Sequence, residues 1–162
     1  MPIIEVRTSG ANATGIALVR AGNGLTLNVY TNGAFVGASS SSLTLNAWNH
    51  VALVRSGSGS NNCTYYINGT AAGTFTNTAN LTDGSTTGPK IGGSTSAGEV
   101  WIGSMSNVRI TKGQALYTGT FTPSTSPLTT TSQGATASNV SALIDRKSTR
   151  LNSSHSQQSR MP

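Results

Sequence analysis

The side chains able to do covalent or acid–base chemistry are few. The chain holds four acidic residues, Glu5, Asp83, Glu99 and Asp145, one cysteine, Cys63, and two histidines, His50 and His155. Glycosidic cleavage by its usual route needs two carboxylates facing each other across the bond, about 5–9 Å apart. None of Glu5, Asp83 and Glu99 stands two residues from another, the spacing that sets a pair on one face of a strand. They read as isolated loop or edge charges, and no catalytic residue is assigned. His50 and Cys63 are base and nucleophile by type, but Cys63 has no Gly-rich or basic setting to hold it as a thiolate. It reads instead as a small buried or edge thiol, and His50 as a strand histidine. A lone cysteine also excludes an internal disulfide framework and a Cys-rich zinc site.

What remains is recognition by neutral groups. Trp48, Trp101, Tyr30, Tyr65, Tyr66 and Tyr117 are the rings on which a sugar face would stack. Trp48 opens the most apolar segment of the chain, so core packing is its expected role. Strand alternation sends one of Tyr65 and Tyr66 inward and the other outward, and Tyr66 is carried forward as a ligand-contact candidate. Asn61 is a second candidate, at the end of the flexible loop Ser56–Asn62.

Thr, Ser, Gly and Asn together make up 80 of the 162 residues, a composition that disfavours helix and supplies turns. Strands are expected over Ile3 to Thr8, Gly15 to Arg20, Leu25 to Tyr30, Ser42 to Leu45, Trp48 to Ser56, Cys63 to Ile67, Thr70 to Thr76, Lys90 to Gly92 and Val100 to Thr111. Leu25, Leu27 and Val29 alternate cleanly and should face a core. Trp48 to Ser56 is apolar on both faces and is expected to be central. Asn32-Gly33 and Asn68-Gly69 predict tight hairpin turns, because both residue types tolerate positive φ. One helical turn is expected over Gln114 to Tyr117. Residues 129–144 have a Ser/Thr/Gly linker composition, turning apolar from Asn139 as though a further strand began.

Charge excludes two classes of partner. The six basic residues before Asp145, namely Arg7, Arg20, Arg55, Lys90, Arg109 and Lys112, are scattered singly, whereas nucleic-acid binding wants clustered cations. No apolar run approaches the roughly 20 residues of a membrane span. Residues 145–162 differ from all that precedes them. Asp145 to His155 and the closing Ser159 to Pro162 read as the in-frame translation of a short-read sequencing adapter, with a barcode-length gap between. This tail is expected to be foreign and without stable structure.

Several blocks stand in order along the chain: Trp48-Asn49-His50-Val51-Ala52-Leu53-Val54-Arg55, Tyr65-Tyr66-Ile67-Asn68-Gly69, Ile91-Gly92-Gly93, Trp101-Ile102-Gly103 with Asn107-Val108-Arg109-Ile110, and Gly113-Gln114-Ala115-Leu116-Tyr117. Together they resemble the laminin G-like, concanavalin A-like lectin/glucanase superfamily, with nearest likeness to repeats of phage tail and bacterial adhesion proteins. The resemblance implies an all-β, two-sheet antiparallel jelly-roll sandwich over residues 1–128, lacking strands at its N-terminal edge. It implies a non-catalytic module contacting a glycan or surface polymer, extracellular or on a virion surface, beside neighbouring tandem repeats. A purely structural spacer is the alternative, and a degenerate hydrolase a distant third. No cofactor is expected, apart from calcium, which such modules often bind through loop oxygens. Asp83 is then the candidate ligand, with Asn80 lending an amide oxygen. Asp83-Gly84 equally forms a turn in which the carboxylate bonds its own backbone.

Overall fold

The computed structural model describes residues 1–7, 15–21, 25–79, 90–94 and 99–144. The chain is all-β, every strand pairing is antiparallel, and no α-helix occurs among the described residues. Two compact units are formed, Met1–Gly103 with Ala115–Pro123, and Ser104–Gln114 with Ser124–Pro162.

The first unit contains two sheets. Strands β1 (Pro2–Arg7), β2 (Gly15–Arg20), β3 (Leu27–Thr31), β4 (Ala34–Ala38) and β8 (Lys90–Ile91) form one, in the order β4-β3-β2-β1-β8. Strands β5 (Val51–Arg55), β6 (Cys63–Ile67) and β7 (Thr70–Phe75) form the other, in chain order. The alternation expected of β3 is present, for Leu27 and Val29 are both fully buried while Asn28 and Tyr30 are only partly so. Both Asn-Gly turns form with positive φ, at 49° and 78° for Asn32-Gly33 and at 51° and 83° for Asn68-Gly69. These values match the turn whose twist suits two antiparallel strands.

The core draws on both sheets. Ile3, Ala17, Leu18, Leu27 and Val29 come from the larger one, and Cys63, Tyr65, Tyr66, Ile67, Ala72 and Phe75 from the smaller. Contact between them is close at β4 and β7. A Cβ on Gly37 would stand 3.1 Å from both the Phe75 Cβ and the Tyr65 hydroxyl, so a side chain there would have to displace packed atoms. Beyond β4, the Ser40 amide and hydroxyl both donate to the Ala72 carbonyl, at 2.6 and 3.0 Å.

Several sequence expectations are corrected here. The strand expected from Trp48 begins at Val51, and among the described residues β5 lies at the edge of its sheet. Apolar side chains on both faces identified a strand but not its place. Ser42 to Leu45 is not a strand, because this segment turns back through bonds made by Asn49. Of Val100 to Thr111, only Val108–Thr111 is a strand, with Val100 making an isolated bridge to Gly93. Gln114 to Tyr117 forms no helical turn. Glu5, expected as a solvated or edge charge, is 1% exposed.

The second unit pairs β9 (Val108–Thr111) with β10 (Val140–Ile144). The linker-like residues before β10 carry two 3-10 turns, Ser132–Gly134 and Ala137–Asn139. Side chains hold them in place. The Arg109 guanidinium donates to the carbonyls of Thr129 and Ser132 at 3.1 and 2.8 Å. Gln114 donates to the Gly134 carbonyl at 2.9 Å and accepts from the Thr136 amide at 2.8 Å. Composition alone suggested an open linker; two long side chains from elsewhere in the unit organise it. Residues 145–162 lie outside the described residues.

Candidate functional site

The three-stranded sheet has two chemically different ends, and the described candidates divide between them. One end is built of amides. Asn62, 6% exposed, donates through Nδ2 to the carbonyls of Gly57 and Asn77 at 3.0 and 2.9 Å, and accepts at Oδ1 from the Asn77 amide at 2.8 Å. Asn77 in turn accepts from the Ala79 amide at 3.0 Å, and the Arg55 guanidinium donates to the Ala79 carbonyl at 2.8 Å. Loop and strand ends are thus tied by side chains rather than by further backbone pairing. Next to Asn62, Asn61 is exposed, with φ at +52° and its amide nitrogen donating to Thr76 Oγ1 at 2.9 Å. Its own side-chain amide has no partner among the described residues.

The other end is aromatic. Tyr117 and Phe121 stack with centroids 3.6 Å apart and planes at 8°. Tyr66 meets Phe121 edge-on at 5.4 Å, and His50 does the same at 5.4 Å. This returning segment explains the correction at Tyr66, which is 3% exposed rather than outward and free. Alternation was kept, with Tyr65 against Phe75 at 5.1 Å on one face, but residues 115–123 cover the other. Gly69 permits the close approach. Its φ is +83°, the Phe121 amide donates to its carbonyl at 3.0 Å, and a Cβ there would run into the Phe121 carbonyl. Tyr66 is therefore a packing residue, and Asn61 and Tyr66 do not converge. Asn80 and Asp83, the other two candidates, lie outside the described residues.

Beside the aromatic cluster, a loop presents what the sequence assigned to the core. Trp48 is 69% exposed and Leu45 56%. Asn49 accepts from the Thr44 amide at 3.0 Å and donates to the carbonyls of Thr44 and Ala47 at 2.8 and 3.1 Å. The His50 amide donates to Asn68 Oδ1 at 2.8 Å. The loop that displays Trp48 is therefore fixed at both its own neck and the adjoining hairpin turn.

The remaining reactive groups do not assemble into a centre. Arg55 pairs with Cys63 and Val51 with Ile67, so His50 and Cys63 sit at opposite ends of the sheet, roughly 15 Å apart by strand rise. Burial pushes the Cys63 thiol above its ordinary range, against the opposing pull of the Arg55 charge and a backbone bond at Asn77. Burial likewise pushes the Tyr65 phenol up, aided by the neighbouring Cys63 and opposed by the Val29 backbone. Both groups stay protonated at neutral pH. The Ser94 hydroxyl reaches both oxygens of the buried Glu5 carboxylate, at 3.0 and 3.3 Å, and the Ser94 amide donates to the Glu99 carbonyl at 3.1 Å. Sequence spacing carried no sign of this contact, which joins residues 89 positions apart. Among the described residues no three His, Cys, Asp or Glu side chains group together to hold a metal ion.

Two antiparallel sheets with a shared core and side-chain-braced loops define an all-β module whose distinctive surfaces lie at the strand ends. Residues 2–118 match the family described as the concanavalin A-like lectin/glucanases superfamily, in its laminin G form, and the chain belongs to that family. Comparisons with curated proteins and with solved structures gave no match. Membership supports a general binding or structural module, in a family that also includes glycosidases and whose laminin G-like domains are often extracellular. No helix among the described residues is long and apolar enough to cross a membrane.

Proposed function

We propose that this domain is a non-catalytic recognition module that holds a glycan or related surface polymer through its loops. In this reading it works as one of several tandem repeats in a longer protein, outside the cell or on a virion surface. The observation that carries it is the Ser56–Asn62 loop. Asn62 locks the loop to Asn77, while the neighbouring Asn61 keeps a free amide at the surface. A fixed loop with uncommitted neutral hydrogen-bonding groups suits sugar hydroxyls, since little conformational entropy remains to be lost on binding. The reactive side chains of the described residues are dispersed or committed to packing, which favours binding over turnover.

Neutral contacts of this kind are individually weak. A single site of millimolar affinity corresponds to about −4 kcal/mol, and it becomes useful when repeated along a fibre. The test is a glycan array of bacterial and algal polysaccharides probed with a multimerised form of the protein, with and without Ca²⁺. Binding abolished by Asn61→Gly supports the reading, and a calcium requirement lost in Asp83→Asn would assign Asp83 as its ligand. Silence across the array, in both conditions, leaves a structural spacer as the function.

A further inference from the structure

Trp48 is where the structure departs most from what its sequence position suggests. A tryptophan flanking an apolar strand gains most by burial, yet this one stands 69% exposed, and Leu45, three residues before it in the same loop, is 56% exposed. Its exposure is built rather than incidental. The Asn49 side chain closes the loop from Thr44 to Ala47 by donating to the Thr44 and Ala47 carbonyls and accepting from the Thr44 amide, and Asn68 secures the backbone at His50 by accepting from its amide. Asn46, at the tip, takes a left-handed conformation with φ +56°, which asparagine accepts more readily than most residues. A ring carried on a backbone held in this way leaves only its own side-chain torsions to be ordered on contact, a property that suits a binding anchor.

The surroundings select among occupants. From Ser39 through Val54 the sequence contains no Lys, Arg, Asp or Glu, and His50 is its only titratable residue. Along the same loop, Ser41, Ser42, Thr44 and Asn46 are exposed polar residues. A lipid surface rich in anionic headgroups wants cations, and a charged polymer wants opposite charge; this loop supplies neither. An uncharged ring with apolar C–H groups on its face and hydroxyls on its rim matches both parts of the patch. We infer that Trp48 is the stacking platform for a neutral saccharide unit, with Leu45 extending the apolar floor and the loop amides and hydroxyls meeting the sugar's edge. The inference rests on the glycan-binding reading above and adds to it a second contact, of stated ligand class, at the end of the three-stranded sheet opposite Asn61.

The test uses the full chain, multimerised, on neutral glucan, mannan and galactan oligosaccharides beside sulfated and uronate counterparts and phosphatidylserine-containing vesicles. The expected result is binding to one or more neutral oligosaccharides, reduced about tenfold or more in Trp48→Ala and largely kept in Trp48→Phe. Wild-type binding unchanged in Trp48→Ala overturns the inference and leaves the glycan reading standing. Binding confined to the charged polymers or the vesicles overturns it as well. No saccharide binding at all removes the glycan reading and the inference with it. A second measurement is independent of the alanine variant's folding. In Trp101→Phe, where Trp48 is the sole tryptophan, saturating saccharide should shift the indole emission to shorter wavelength, and an unmoved spectrum during demonstrated binding refutes stacking.

Discussion

Asn61 and Asn62 are the same residue type in adjacent positions, and truncating them should have opposite consequences. Asn62→Ala removes three hydrogen bonds. The Gly57 carbonyl lies in an exposed turn and is rehydrated, so its loss costs little. The Asn77 amide and carbonyl belong to a residue 5% exposed, and each buried group left without a partner costs about 1–3 kcal/mol. Two such groups give an expected destabilisation of about 2–6 kcal/mol. For a chain of this size each kcal/mol moves the thermal midpoint by roughly 2–4 °C, so the midpoint should fall by about 4–24 °C. Asn61→Gly is the matched control, because glycine keeps the left-handed φ without strain and the lost side chain bonds nothing described. Its effect should stay within about 0.5 kcal/mol. Urea denaturation of both variants, with the slope checked for two-state behaviour, measures the difference. An Asn62→Ala cost below about 1 kcal/mol would refute the reasoning, since it would mean that water satisfies the Asn77 backbone as well as the amide does.

Gly69→Ala should cost about 3 kcal/mol or more by calorimetry, because its Cβ meets the Phe121 carbonyl. Gly57→Ala has an equally positive φ but open space around it, so it should show only the backbone penalty of about 1–2 kcal/mol. Tyr66→Ala should lose about 3–5 kcal/mol in chemical denaturation, and Trp48→Ala less than about 0.5 kcal/mol; equal costs would contradict the exposure assigned to Trp48. Cys63 gives a pH signature: its folded thiol pKa lies above its ordinary value near 9.0, so the unfolded chain releases that proton first. Its stabilising contribution is full below about pH 9 and is lost as pH rises towards the folded value. Thermal melts at pH 8 to 10 should therefore fall more steeply for the wild type than for Cys63→Ala.

Much of the fold was legible because it depends on local pattern. Leu27 and Val29 announced their face through alternation, and Asn32-Gly33 and Asn68-Gly69 announced their turns through backbone tolerance of positive φ. The superfamily was legible from ordered blocks spread over most of the first 118 residues. Two departures share one physical origin, which is that the groups that cover or fasten a segment come from distant sequence. Alternation sends one of Tyr65 and Tyr66 outward on the assumption that the second face meets solvent; at Tyr66 that face is covered by Tyr117 and Phe121, some fifty residues later. Thr129 to Ala137 has a linker composition, and nothing in that composition shows that Arg109 and Gln114 will bond its backbone. Trp48 failed in the other direction. An apolar run predicted strand from its first residue, but Asn49 competes for the local backbone, closing a loop that puts the indole outside.

The same competition accounts for the character of the candidate surface. Charged residues make up 9% of the chain, so the described loops are fastened mainly by amides and hydroxyls. Residue type therefore does not separate a scaffold asparagine from a ligand-facing one. Asn49, Asn62, Asn68 and Asn77 spend their side chains on loop backbone, whereas Asn61 does not. Only the geometry tells them apart, which is why the sequence located the Ser56–Asn62 loop but not the division of labour within it. Loops made this way carry no charge of their own with which to pair a partner, although the chain as a whole has a formal net charge of +6. Under the proposed recognition role, the discrimination of these loops would come from short-range fit of neutral groups, and their strength from repetition.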